Sequence, residues 1–227
     1  MNKIKEKIYQ NKRVQELAKE IVLNQHLIAD PNKYVVCNKR EPNSRVFLED
    51  KYLEGCKVLS SREKMLEELD PDAVWAEVGV ATGYFSEKIL EICNPKKLYM
   101  IEFDENYCKE LHNKFKKEIE SGVVEILQGD SVEMLKSLPD NCLDYIFLDA
   151  THDYEHPKAE LEMCRYKVKG TGCIMGHDYT RLSMWECAQY GVIEAVNEFA
   201  INNSYKLKFI TLDMLHSNSS YGLEKMN

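Results

Sequence analysis

The sequence predicts an α/β fold: a doubly wound, mostly parallel sheet of seven strands, preceded by a helical extension. Three observations carry that expectation. From Ala73 onward, short apolar strand-like runs alternate with helical patterns, the rhythm of a parallel sheet covered on both faces. The run Val74-Trp75-Ala76-Glu77-Val78 passes through Gly79 and Gly83 into a helical pattern, so a strand, a glycine turn and a helix follow one another. Acidic residues stand at or just after three successive strand ends: Glu77, Glu102 and Asp130.

The elements follow in order. Residues 1–70 are expected to form a helical extension or cap, and residues 71–227 the main domain. Ile4, Ile8, Val14, Leu17 and Ile21 form a helical stripe, suited to a lid, a dimer contact or packing on the chain's own domain. Asp30-Pro31-Asn32 is a turn signal, and Tyr34–Cys37 reads as a short strand. Ser60 and Glu63 have capping-box spacing ahead of Met65, Leu66 and Leu69, which predicts a short helix stopped at Asp70-Pro71.

In the main domain, Phe85, Ile89, Leu90 and Cys93 mark the helix after the first strand, and Asn94-Pro95 ends it. Leu98–Phe103 is the second strand, and Tyr107, Leu111, Phe115 and Ile119 line its helix. Val123–Leu127 is the third strand, with Ser131 capping a short helix. Leu143–Leu148 is the fourth, and Pro157 opens the next helix. Gly172–Gly176 is the fifth, and Val192, Val196 and Phe199 mark a last helix. Lys206–Leu212 and Tyr221–Met226 close the chain with no clear helix between them, so the final strand is expected to run antiparallel.

Composition narrows the function. The chain has 227 residues, 44% of them hydrophobic, enough for one α/β domain with a substantial core. A formal net charge of -8 argues against nucleic acid and anionic membranes as partners. No apolar run is long enough for a membrane span, and charged residues follow Met1 where a secretion signal would be apolar. None of the eight cysteines falls in a C-x-x-C pair, which suits small core residues of a reduced, cytoplasmic protein.

Ligands of open α/β sheets sit beyond the carboxyl ends of the strands. The turn Glu77-Val78-Gly79-Val80-Ala81-Thr82-Gly83 offers bare backbone there, and the acid favours a cationic or hydroxyl-rich ligand over a phosphate. Glu102, with Asp104 as its rival, is placed to accept hydrogen bonds from ligand hydroxyls, and Asp130 from a ligand amino group, helped by the backbone amide of Ser131. The segment resembles the first motif of the class I S-adenosylmethionine-dependent methyltransferases, acidic-x-Gly-x-x-x-Gly. The resemblance covers about residues 73 to 227. It implies a Rossmann-like fold, S-adenosylmethionine as cofactor, and contacts from Glu77, Gly79, Gly83, Tyr84, Glu102, Asp130 and Ser131.

Two further segments, Asp149-Ala150-Thr151-His152-Asp153-Tyr154-Glu155 and Gly176-His177-Asp178-Tyr179, follow the fourth and fifth strands. They resemble the metal-dependent O-methyltransferases of antibiotic and surface-sugar biosynthesis, methyltransferase family 24, with Ala150 where many relatives have glycine. The resemblance implies Asp149, His177 and Asp178 as ligands of a divalent metal, magnesium or manganese, and His152 as general base. Relatives often carry two carboxyl or amide groups where this chain has His177-Asp178. The implied activity is methyl transfer to a hydroxyl of a sugar or sugar-like small molecule, or of a nucleotide-linked sugar, by a homodimer.

Aromatic residues available to frame the acceptor, or to pack the core, are Tyr84, Tyr154, Tyr179, Trp185 and Tyr190. Arg40 and Arg45 supply cations for a substrate phosphate, or belong to a solvated loop. Three other functions remain open on sequence. They are a metal-independent N-methyltransferase acting on a small amine, a catalytically silent partner subunit, and an NAD-dependent oxidoreductase. The last would need Gly-x-Gly-x-x-Gly, whereas the chain reads Gly79-x-Ala81-x-x-Tyr84.

Overall fold

The computed structural model describes residues 45–183, 188–213 and 218–226. The stripe from Ile4 to Ile21, the Asp30 turn, the strand at Tyr34, Arg40 and Trp185 lie outside them. Ten strands and seven α-helices are described. The strands are β1 Lys57–Leu59, β2 Val74–Val78, β3 Lys97–Glu102, β4 Val124–Gln128, β5 Leu143–Leu148, β6 Val168–Gly176, β7 Leu182–Ser183, β8 Ala188–Gln189, β9 Tyr205–Thr211 and β10 Tyr221–Lys225. The helices are α1 Arg62–Leu66, α2 Tyr84–Cys93, α3 Glu105–Lys114, α4 Lys116–Glu120, α5 Ser131–Ser137, α6 Glu155–Lys167 and α7 Val192–Asn203.

Eight strands form one sheet in the order β1-β9-β10-β6-β5-β2-β3-β4. Pairing from β4 across to β6 is parallel, and β10 runs antiparallel to both β6 and β9. The seven expected strands are therefore present, with β10 reversed between its neighbours. The eighth, β1, pairs in parallel with β9 through Lys57, Val58 and Leu59 at the sheet edge. Three residues with exposed or half-buried side chains carry no alternation, so this strand left no sequence signal.

Alternation along the strands divides the core in two. Ala76, Val78, Ile146, Leu148 and Ile174 face α5, α6 and α7, while Trp75, Tyr145, Phe147, Cys173 and Met175 face α1, α2 and α3. Met65 and Leu66 of α1 are fully buried in the second cluster, which docks the end of the 1–70 segment on the sheet.

Local chemistry shifts three boundaries. The short helix α1 is capped at Ser61 rather than Ser60, and its first N–H bonds the Asp213 carboxylate at 2.9 Å. Asp130, not Ser131, caps α5 by accepting from the Glu133 N–H at 3.1 Å. The helix after β3 breaks at Phe115 into α3 and α4. Asn94 ends α2 in the left-handed conformation, as the Asn94-Pro95 signal requires. No described helix is long and apolar enough to cross a membrane.

Candidate active site

The sheet order brings the carboxyl ends of β4, β3, β2, β5 and β6 side by side in that sequence. The loops leaving these ends carry Asp130, Glu102, Gly79, Asp149 and the pair His177-Asp178. Adjacent tips lie about 5 Å apart, so the row is a continuous shelf.

The centre of the shelf is built from close backbone approach. Gly79 has φ +80°, and a Cβ there would lie 2.2 Å from the Asp149 carbonyl oxygen. Gly83, at φ +73°, caps α2 where a Cβ would strike Leu111 and Phe115. Ala81 stands between them at φ +47°, left-handed backbone that glycine adopts without cost. The Ala81 N–H donates to Glu102 Oε2 at 2.7 Å, which ties the turn to the tip of β3. Glu102 Oε1 accepts from the Asp104 N–H at 2.8 Å. Each carboxylate oxygen keeps a further lone pair for a ligand hydroxyl. Asp104 is occupied as the cap of α3, accepting from the Asn106 and Tyr107 N–H groups at 2.7 and 3.2 Å. Phe103, next to Glu102, is 77% exposed on the same rim.

Glu77 lies beneath the shelf, 2% exposed, and accepts a hydrogen bond from Ser86 Oγ of α2. Burial pushes its carboxyl up to about 8 against the opposing Ser86 bond, and Asp149 adds to the rise. A carboxyl raised in the folded state favours folding while protonated and loses that advantage as pH climbs from about 4.5 to about 8. Glu77→Gln should therefore flatten the stability profile. In thermal melts from pH 5 to 8.5, its Tm should gain steadily on that of the wild type. The spread should approach ~4 kcal/mol at full desolvation. A Tm difference independent of pH would show that Glu77 is already ionised.

Asp130 and Ser131 are anchored rather than loose. The Ser131 hydroxyl donates to Glu160 Oε1 of α6 at 2.6 Å. Glu160 is 1% exposed, and its carboxyl is pushed up to about 7 by burial. Glu160, Asp149, His152, His177 and Tyr221 border one small cavity behind the shelf.

On the other flank, Asp149, His152 and Asp178 converge, with one ligand-type atom from each within 4.8 Å of the others. His152 Nε2 lies 2.7 Å from Asp178 Oδ2 and 3.9 Å from Asp149 Oδ1. Yet Nε2 has no aligned hydrogen-bond partner, so the ring nitrogen and the carboxylate oxygens approach one another without pointing at one another. Burial disfavours charge on His152, but the two aspartates outweigh it and push the imidazole up to about 10. Its ring stacks on Tyr190 with centroids 4.4 Å apart. Asp178 sits at φ +57°, a left-handed backbone uncommon for aspartate. Burial would raise its carboxyl, but His152, His177 and the Asn218 amide, which donates at 2.7 Å, hold it low.

Of the residues expected to bind a metal, Asp149 and Asp178 converge with the expected base His152, while His177 turns its Nδ1 to Ser220 Oγ at 2.8 Å and leaves Nε2 3.8 Å from Asp178 Oδ1. The partner Ser220 precedes β10, more than forty residues along the chain, which no local spacing reveals. Tyr84 stands 52% exposed at the start of α2. Tyr179 donates to Asn197 at 2.5 Å, Tyr154 pairs with Glu198, and Arg45 is exposed.

Sequence reasoning missed Arg62. Its Nη1 lies 3.4 Å from Asp149 Oδ2, and its guanidinium carbon lies 4.8 Å from the centre of the Phe85 ring. An arginine in the first turn of a five-residue helix has no motif around it, so only the fold brings it to the shelf.

Residues 76–179 match the model of methyltransferase family 24, described as a methyltransferase domain, and the fold is that of the class I S-adenosylmethionine-dependent methyltransferases. No curated protein matches the chain. Among solved structures, an S-adenosylmethionine-dependent methyltransferase from Aquifex aeolicus is similar at 19% identity and TM-score 0.55, covering 77% of this chain and 92% of its own. Precorrin-6y C5,15-methyltransferase from Geobacter metallireducens GS-15 is similar at 16% identity and TM-score 0.52, over 72% of this chain and 86% of its own. The B. subtilis M1A22 tRNA methyltransferase TrmK is similar at 15% identity and TM-score 0.54, over 74% and 67%. At these identities the likeness is one of fold.

Proposed function

We propose that this chain transfers a methyl group from S-adenosylmethionine to a hydroxyl of a sugar or sugar-like small molecule, assisted by a divalent metal. The observation that carries the reading is the Asp149–His152–Asp178 convergence beside the Gly79 turn. Glu102 and Asp130 would receive the donor's ribose and adenine, with Phe103 offering a ring face to the base. Gly79, with bare backbone, would let its sulfonium come close to the strand tips. Gly83 lets α2 pack tightly behind it.

Asp149 and Asp178 would hold the metal through carboxylate oxygens, which suit magnesium or manganese, and leave His152 Nε2 free to accept a proton. A divalent cation there would neutralise the two carboxylates and lower the cost of negative charge developing on the acceptor oxygen. His152, braced by Tyr190, takes the hydroxyl proton at Nε2. The C–S bond of the donor breaks as the O–C bond forms, and S-adenosylhomocysteine leaves as a neutral thioether. Asp149 and Asp178 fix the acceptor next to the donor, so orientation supplies much of the acceleration. His177, locked to Ser220, holds the backbone of Asp178 in place.

The imidazole pushed up to about 10 favours a second reading, in which the two aspartates hold His152 charged and no metal takes part. The acceptor would then be a small amine. Chelation separates the two. S-adenosylhomocysteine formation is followed with a panel of vicinal-diol sugars, catechols and amines. The metal-assisted reading predicts loss of turnover in EDTA and recovery with added manganese or magnesium. Turnover of an amine that persists in EDTA would establish the second.

A further inference from the structure

We infer that Arg62 is the residue that receives the carboxylate of the donor's amino-acid end. The inference rests on the donor-binding reading above and adds a residue to it. The shelf fixes a direction. With nucleoside contacts at the tips of β4 and β3, the remainder of the donor must extend over β2 toward β5. That region is flanked by two carboxylates, Glu102 on one side and Asp149 on the other, above the buried carboxyl of Glu77. A sulfonium and an ammonium are welcome there. A ligand carboxylate is repelled unless a cation meets it.

Among the described residues, Arg62 is the arginine or lysine ion-paired with an acid of this shelf. Three features make it an anion receptor rather than a settled ion pair. Its backbone is fixed, because its N–H bonds Asp213 Oδ2 at 2.9 Å and the neighbouring Met65 and Leu66 are buried. Its guanidinium lies over the Phe85 ring, in the first turn after Gly83, which sets the plane of the fork. Its link to Asp149 is a single contact at 3.4 Å, longer than a charge-assisted hydrogen bond, and leaves most of its five donors for another oxygen pair. Both partners are about one-fifth to one-quarter exposed, so a ligand has access.

The test compares two ligands that differ only in the part Arg62 would touch. S-adenosylhomocysteine carries the amino-acid end; 5′-methylthioadenosine has the same nucleoside and thioether without it. Calorimetric titrations use the full chain as wild type, Arg62→Gln and Arg62→Lys, with thermal melts to establish folding. Arg62→Gln should weaken S-adenosylhomocysteine by about 10- to 100-fold, the scale of a hydrogen bond to a charged group, and leave 5′-methylthioadenosine within about 2-fold. Arg62→Lys, which keeps the charge but not the fork, should fall between. Unchanged S-adenosylhomocysteine affinity in Arg62→Gln overturns the assignment, and so does an equal loss for both ligands, which marks a structural role. A wild type that binds neither ligand refutes the donor reading itself and the assignment with it.

Discussion

Gly79→Ala should destabilise the protein by about 3 kcal/mol or more and abolish binding of the methyl donor. Two costs combine at this position. An alanine at φ +80° takes up a backbone conformation that costs about 1–2 kcal/mol for residues with a Cβ. Its Cβ would also sit 2.2 Å from the Asp149 carbonyl oxygen and 2.7 Å from the Ala150 Cα. Both neighbours are backbone, so neither can swing aside. The tips of β2 and β5 would have to separate, and that junction is the centre of the shelf. Gly122→Ala isolates the conformational cost, because Gly122 has φ +81° but nothing within 4 Å of its would-be Cβ. Urea denaturation should show a loss near 1 kcal/mol for Gly122→Ala and a much larger one for Gly79→Ala. Equal losses would mean that the tips part easily and that the close approach is not a constraint.

Asp149→Ala acts on chemistry instead of architecture. Turnover with a vicinal-diol acceptor should fall by about 10³-fold or more, as expected when the support for a developing oxyanion is removed. Manganese binding, followed by the paramagnetic resonance of the free ion, should weaken strongly. Affinity for S-adenosylhomocysteine should stay within about 3-fold, because the nucleoside contacts are two and three strands away. Thermal stability should change little, since Asp149 is partly exposed and its pairing with Arg62 is a single long contact. Asp149→Asn keeps the shape and separates charge from packing. Parallel loss of donor affinity and turnover would place Asp149 in the donor pocket and remove it from the metal set. Undiminished manganese binding would remove it as well.

What the sequence made legible follows from the range over which each signal acts. Glu77-Val78-Gly79, Glu102 and the Asp149–His152 segment are local arrangements at strand ends, and a parallel sheet puts all strand ends on one edge. The run Val74–Val78 was legible as a strand, whereas which face of the sheet Ala76, Val78 and Trp75 each pack on came only with their partners. The reversed β10 was legible because Lys206–Leu212 and Tyr221–Met226 leave no room for a crossover helix. The features that stayed hidden depend on distant partners. His177 is adjacent to Asp178 in sequence, so both are natural candidates for one cation. Its Nδ1 pairs with Ser220, and the ring nitrogen 2.7 Å from Asp178 Oδ2 is that of His152. Arg62 reaches the site because α1 is held by Asp213 from beyond β9. Lys57–Leu59 becomes a strand only because β9 offers it an edge. Ser131 has the chemistry of a helix cap, but Asp130 precedes it and takes the role, leaving the hydroxyl to Glu160.

The central claim is that the acids at consecutive strand tips form a pocket for the methyl-donating nucleoside. Titration calorimetry of the wild type and Glu102→Ala with S-adenosylhomocysteine tests it most directly. The account predicts saturable one-to-one binding by the wild type and at least about tenfold weaker binding by Glu102→Ala, whose carboxylate would no longer meet the ribose hydroxyls. Absence of binding by the folded wild type, or equal affinity in the two proteins, would contradict it.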